Sequence, residues 1–244
     1  MLKTAAFIYA LIAAAGPASA RFGEVVSSFQ LPAILYYSKA MAWDGSSLWV
    51  CGFQRRYIFR FTTAGSMTAS FPLGGGRGNY RGATFDGRYL WVSEKLDEPK
   101  PQRVFFTRYT RQGSVVGIFS HCPWPGYDAG LAWAKGYLRA DNYVLGTSGS
   151  IVRTFRAPFY LHDLAWDGRY LWSARWSDFY MCRFTNRGSV VASFKVPGGT
   201  YESSGAAFDG SYLWLINKGW AYRVDIDVIP VEPVSLGKVK AIFR

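Results

Sequence analysis

From residue 40 onward, apolar and polar positions recur as one phrase read five times. Each copy has an apolar segment, an Asp-Gly turn, a Leu-Trp pair, a second aromatic strand, a Thr-x-x-Gly-Ser turn and a Val/Ile-rich run ending in Phe, with lapses in single copies. The copies are anchored at Trp43, Phe85, Trp133, Trp166 and Phe208, spaced by 42, 48, 33 and 42 residues. Alternation within each copy gives four strand-like stretches, and a unit of that size can bury both faces only against neighbours of the same kind. The pattern predicts an all-β chain, a five-bladed β-propeller of four-stranded antiparallel blades.

The fourth copy is the clearest. Asp163-Leu164-Ala165-Trp166 reads as the inner strand, Asp167-Gly168 as a tight turn, and Tyr170-Leu171-Trp172-Ser173-Ala174 as the second strand. Residues 179–184 give the third strand, Thr185-Asn186-Arg187-Gly188 a turn in which glycine is free to take positive φ, and residues 189–194 the outer strand. The third copy keeps the frame as Trp133-Ala134-Lys135-Gly136-Tyr137-Leu138-Arg139 but loses the Asp and the second Trp. Its next hairpin is short, so its blade is expected to be the smallest. The second copy carries a charged, Pro-containing insertion at residues 94–103.

The fifth copy lacks an outer strand, and residues 23–29 (GEVVSSF) match residues 188–194 (GSVVASF) in length and pattern. The N-terminal segment is therefore expected to close the ring as the outer strand of the last blade. Residues 237–243 near the C-terminus also fit that strand, and fit a short amphipathic helix equally well.

Residues 1–20 stand outside the repeat. Lys3, the apolar stretch from Ala5 to Ala15 and Ala18-Ser19-Ala20 form the three parts of a secretory signal peptide, with cleavage expected before Arg21. The chain then divides into a signal peptide (1–20), a propeller (21–229) and a C-terminal extension (230–244), and the expected location is secreted or periplasmic. No later apolar run is long enough to predict a transmembrane segment. Aromatic residues make up 18% of the chain, which suits broad sheets packed face to face. The formal charge is +12, with arginines in every repeat, so an anionic polymer, a glycan or an acidic envelope component is a more natural partner than nucleic acid, for which no motif is present. A monomer is expected. Of three cysteines, Cys51 and Cys182 fall in strands and read as small buried side chains, and Cys122 falls in a loop.

The D-G-x-x-L-W and R-F-T-x-x-G-S-V-V-x-S-F phrases resemble the repeats of secreted bacterial β-propellers of the NHL, YVTN and quinoprotein-like group, over nearly all of residues 22–227. The resemblance implies the fold and leaves activity open, because that group includes binding proteins, lactonases and dehydrogenases. Five-bladed propellers also include a plant and bacterial type of glutaminyl cyclase, with which the chain shares blade count and no sequence phrase.

Loops leading into the inner strands should gather at one mouth of the central channel. Four residues before the anchors stand Lys39, Arg81, Ala129, His162 and Ser204, and one position earlier Ser38, Tyr80, Asp128, Leu161 and Ser203. These positions differ from copy to copy, so a ligand site is expected there, from Lys39, Tyr80, Arg81, Tyr127, Asp128, Tyr160, His162 and Tyr201. Rings beside cations suit a sugar or a flat anion. Trp176 and Trp220, on the loops between second and third strands, offer an alternative surface. Asp128, Asp163, His162 and Arg81 form the polar set of an alternative hydrolase or lyase in the channel mouth. The repeated Asp44, Asp86, Asp167 and Asp209 read as turn residues at the other end. No cofactor is expected, and with His121 and His162 the only histidines and no C-x-x-C spacing, no metal site either.

Overall fold

In the computed structural model, residues 21–52, 56–74, 79–96, 101–121, 128–175, 177–199 and 205–226 are described. The chain begins with β1 (Val25–Gln30) and a 3-10 turn at Ala33–Leu35. The first blade is β2 (Ala40–Trp43), β3 (Leu48–Cys51), β4 (Tyr57–Phe61) and β5 (Met67–Pro72). The second is β6 (Tyr80–Phe85), β7 (Leu90–Leu96), β8 (Arg103–Tyr109) and β9 (Val115–His121). The third is β10 (Leu131–Ala134), β11 (Tyr137–Ala140), β12 (Tyr143–Leu145) and β13 (Ile151–Thr154). The fourth is β14 (Ala165–Trp166), β15 (Leu171–Arg175), β16 (Tyr180–Phe184) and β17 (Val190–Lys195), and β18 (Ala206–Phe208), β19 (Tyr212–Asn217) and β20 (Trp220–Asp225) open the fifth.

Each of the first four blades is an antiparallel sheet in sequence order, and the fifth runs β18-β19-β20-β1. The N-terminal strand closes the ring, with Phe29 opposite Ala221 and Val25 opposite Val224. Residues 237–243 lie outside the described residues, but the free edge of β20 is already taken by β1. Gly23 occupies the place that the glycine of the turn between third and outer strands holds in other blades. It has φ +83, and a Cβ there would run into Phe194 of the fourth blade. Gly113, φ +89, meets Phe71 of the first blade in the same way. The Thr-x-x-Gly-Ser turns thus serve two ends. Thr62 N–H donates to the Ser66 carbonyl across a one-residue register shift at Arg60/Phe61, and the glycine lets the next blade slide over the preceding outer-strand Phe.

The Asp-Gly turns carry a second repeated device. Asp44 Oδ1 accepts the N–H groups of Ser46 and Ser47, while its Oδ2 accepts Trp49 Nε1–H at 2.9 Å. Asp86 does the same for Trp91 at 2.7 Å, Asp167 for Trp172 at 2.8 Å and Asp209 for Trp214 at 2.8 Å. On the facing strand an arginine stands opposite each Trp in register, Arg60, Arg108, Arg183 and Arg223, its guanidinium 5.3–5.7 Å from the indole centroid. The four tryptophans are at most 1% exposed. Burying about 200 Å² each, they contribute on the order of 5 kcal/mol apiece before entropy, more than any hydrogen bond nearby. The core lies between blades rather than under one sheet: Trp49, Ile58 and Phe71 of the first blade pack on Tyr80, Leu90 and Tyr109 of the second.

The third blade is the slightest, as its sequence predicts, with a two-residue connection between Ala140 and Tyr143. The second blade departs from expectation. Glu94, Lys95 and Leu96 continue β7 and pair with Phe105, Val104 and Arg103, so both ends of the insertion are strand. Lys95 N–H reaches the Asn79 carbonyl, and Glu94 and Lys95 are buried, which gives this extension partners on both sides. Cys51 and Cys182 are free and buried, and Cys122 lies outside the described residues.

Candidate functional site

Inner strands can converge on an axis only where side chains shrink. Three residues before the anchors stand Ala40, Gly82, Gly130, Asp163 and Gly205. A Cβ on Gly130 would overlap the carbonyl oxygen of His162, and one on Gly82 the backbone of Leu131. Four minimal residues thus bring the strands into contact and leave one place at the axis, which Asp163 fills. Its Oδ1 accepts the N–H groups of Leu131 and Leu164, and its Oδ2 those of Met41 and Ala206, all at 3.0–3.1 Å. Those donors sit two residues before the anchors of the first, third, fourth and fifth blades. One carboxylate therefore ties four inner strands together. Burial pushes the Asp163 carboxyl well above the usual carboxylate range, against the four donors that favour its ionised form. With both oxygens committed and 1% exposure, Asp163 does not face the mouth as the sequence-based hydrolase set requires.

Above that layer the rim residues do converge. Asp128, from the loop into the third blade, accepts Arg81 Nη1–H at 2.9 Å through Oδ1 and pairs with His162 Nδ1 at 2.9 Å through Oδ2. Burial raises the Asp128 carboxyl, but the hydrogen bond from His162 and the charges of Arg81, His162 and Lys39 outweigh it and hold the group below the usual carboxylate value. Lys39, Asp128 and His162 come from three different inter-blade loops, and Arg81 from the start of β6. The side chains of Arg81, Asp128 and His162 are 15%, 16% and 22% exposed, sheltered yet open to the mouth.

The loop that carries Asp128 is pinned from below. Asp141, in the two-residue hairpin of the third blade at φ +48, accepts the N–H groups of Asp128 and Ala129 at 3.2 and 3.0 Å. Ser173 Oγ receives the His162 N–H at 3.1 Å, and Ser93 Oγ donates to the Ala129 carbonyl. Sequence reading missed these three supports. The signal for Asp141 was present: an Asp at the tip of an unusually short hairpin beside the rim. Nothing in sequence marked the serines.

The aromatic candidates separate. Tyr160 is 63% exposed at the rim. Tyr80 corrects the sequence-based picture of an exposed ring: it is 2% exposed and packed between the first two blades, where burial and then Glu94 raise its phenol. The reason is β6, which begins at Tyr80 and turns its ring inward beside Ala83. Tyr127, Tyr201 and Trp176 lie outside the described residues. Tyr36 and Tyr37, with ring centroids 4.8 Å apart, are exposed on the loop into the first blade. Trp220 is partly exposed and stacks on Tyr222 at 6.5 Å, and the adjoining Gly219 lies against Tyr36. These rings form a second, aromatic sector of the same mouth. At the opposite mouth a cavity of about 90 Å³ is ringed by the anchors Trp43, Phe85, Trp133, Trp166 and Phe208. Among the described residues no three His, Cys, Asp or Glu side chains are grouped to hold a metal, and no helix is long and apolar enough to cross a membrane.

No protein-family model matches the chain, and no curated protein matches it in sequence. Solved structures match its fold. Myxococcus xanthus glutaminyl cyclase superposes with a TM-score of 0.65 at 12% identity, over 84% of this chain and 97% of that one. Regucalcin from Agrobacterium tumefaciens, described as a calcium-binding protein, gives a TM-score of 0.50 at 13% identity over 84% and 93%. At these identities the likeness concerns the propeller alone, a scaffold that carries enzymes and binding proteins alike.

Proposed function

We propose that this chain is an exported β-propeller that binds an anionic ligand, an acidic glycan being the best fit, over the channel mouth lined by Lys39, Arg81, Asp128, His162 and Tyr160. One observation carries the reading: four connections into inner strands, which share no common sequence, bring the cations of Lys39 and Arg81 and a histidine around a single carboxylate. With His162 neutral the cluster keeps one net positive charge. Arg81 is held by Asp128, and Lys39 and His162 stand beside the same carboxylate at the mouth. Exposed rings at Tyr160 and at Tyr36, Tyr37 and Trp220 supply stacking surfaces for sugar faces. Export rests on the signal-peptide pattern of residues 1–20. N-terminal sequencing of the product should begin at Arg21.

The test is titration with uronic-acid and neutral oligosaccharides of equal length. Saturable binding of the acidic series, weakened by about 1–3 kcal/mol in Lys39→Ala or Tyr160→Ala without change in melting temperature, supports the reading. Equal binding of both series, or none, removes it.

A second reading is general-base chemistry at the same place. The Asp128 carboxylate fixes the His162 ring through Nδ1, and Nε2 has no protein partner among the described residues. Turnover of a sugar, lactone or peptide library that is lost in His162→Gln would favour it.

A further inference from the structure

The Asp–Trp–Arg stack found in four blades is dismantled in the third. By position, Ala134 replaces the Asp, Arg139 the Trp and Val144 the Arg, and Arg139 and Val144 are cross-strand partners as Trp49 and Arg60 are. The outer-strand Phe is retained: the Arg139 guanidinium carbon is 5.8 Å from the Phe155 centroid, where Trp49 meets Phe71 at 5.6 Å. Arg139 therefore occupies the slot of a core tryptophan. It is 1% exposed, and none of Nε, Nη1 and Nη2 has a hydrogen-bond partner among the described residues. Its strand neighbours Ala132 and Val144 belong to the apolar cluster with Phe155, Leu164, Leu171 and Phe184 that joins the third and fourth blades.

A guanidinium does not shed its proton to escape such a place, and a buried charge without a partner is among the costliest arrangements a core can hold. In two of the other blades the arginine of the stack has an acid nearby. Arg60 lies 3.7 Å from Asp44 and Arg223 lies 3.2 Å from Asp209. Arg139 has the opposite: burial lowers its pKa, and the charge of Arg153, of the same sign, lowers it further. Ala for Asp, Val for Arg and a guanidinium for an indole all remove volume at the same spot. A buried positive charge and the five unused N–H donors of Nε, Nη1 and Nη2 coincide.

We infer that Arg139 anchors a site for one small monovalent anion, of halide or nitrate class, between the third and fourth blades, the ion supplying the negative charge that Asp44, Asp86, Asp167 and Asp209 supply in the others. A divalent anion would exceed the single buried cation. The site is separate from the rim and independent of its ligand.

The test is crystallographic and thermal. Crystals of the mature chain grown in bromide should show an anomalous peak in contact with the Arg139 guanidinium. At fixed ionic strength, replacing chloride by gluconate, too large to enter, should lower the melting temperature by several degrees. The Ala134→Asp/Arg139→Trp double variant, which restores the Asp–Trp pair of the repeat, should lose that difference, and Arg139→Met provides a second charge-free variant. No peak at Arg139 overturns the inference whatever the thermal result. A peak accompanied by the same anion dependence in both variants means an adventitious ion only, and overturns it as well.

Discussion

At the Asp-Gly end of the ring four blades place the same side chains in the same contacts, while at the opposite mouth no two blades agree. The first end is Asp44 on Trp49, Asp86 on Trp91, Asp167 on Trp172 and Asp209 on Trp214, each with an arginine over the indole. The second is Lys39, Arg81, Asp128 and His162, from the entries to four of the five inner strands, gathered around a single carboxylate. A contact made in every blade solves a problem every blade has, the burial of its faces. A contact made once, between side chains that different loops had to supply separately, has no such reason. The comparison predicts that damage at the two ends will separate stability from ligand recognition.

The largest effect should come from opening the ring. Deleting residues 21–30 removes β1, bares the edge of β20 and strips Phe29 from Trp214, with ring centroids 5.9 Å apart. Loss of cooperative unfolding and aggregation are expected in thermal melts, whereas deleting residues 234–244 should leave a cooperative transition. The reverse ranking would mean that the C-terminal segment completes the fold.

Next comes the channel staple. Asp163→Ala is sterically harmless, since Ala40 holds the equivalent place in the first blade, yet it leaves the N–H groups of Met41, Leu131, Leu164 and Ala206 without their acceptor. A loss of about 3 kcal/mol is expected in denaturant unfolding, from unmatched buried donors alone. Within about 0.5 kcal/mol of the parent, the four-strand tie would be shown to be dispensable.

Below that stands the repeated turn. Asp167→Ala frees the N–H groups of Arg169 and Tyr170 and the Trp172 indole, of which only the last is deeply buried. A cost of about 1–2 kcal/mol should appear in chemical melts, and rim binding should be unchanged. A binding defect in this variant would break the separation of the two ends.

How far this division was legible in sequence follows from the same physics. Blade number, strand order and closure by residues 23–29 were readable because each rests on local periodicity repeated five times. The Asp of each Asp-Gly turn was recognisable as structural, but its bond to the Trp five residues on was not, since that needs the turn's three-dimensional course. Aligning the copies placed Lys39, Arg81 and His162 at equivalent positions and Asp128 one earlier, which put them near one mouth. It could not separate Asp128, which joins its neighbours, from Asp163, which points down the axis. That difference is set by the small residues at Gly82, Gly130 and Gly205, whose close packing selects a carboxylate as filler. Tyr80 was misjudged for a related reason: a residue next to a loop was read as loop, while the strand already began there.

The smallest stability effect belongs to the rim carboxylate, and it has a sign in pH. Asp128 is held below the ordinary carboxylate value in the folded chain, so its contribution is present above the unfolded pKa of about 3.9 and is lost as pH falls through the depressed folded value. Partly exposed partners keep that contribution to about 1 kcal/mol. In unfolding measured from pH 7 to pH 2, the difference between the parent and Asp128→Asn should therefore be flat down to about pH 5 and shrink below about pH 4. Ligand binding should respond differently. Asp128→Asn releases both Arg81 and His162 from their orienting partner and raises the net positive charge of the mouth by one. An acidic ligand that needs only charge would bind the variant more tightly. One that needs the His162 ring held in place would bind it several-fold more weakly at the same pH, and that sign tells an electrostatic mouth from a shaped site.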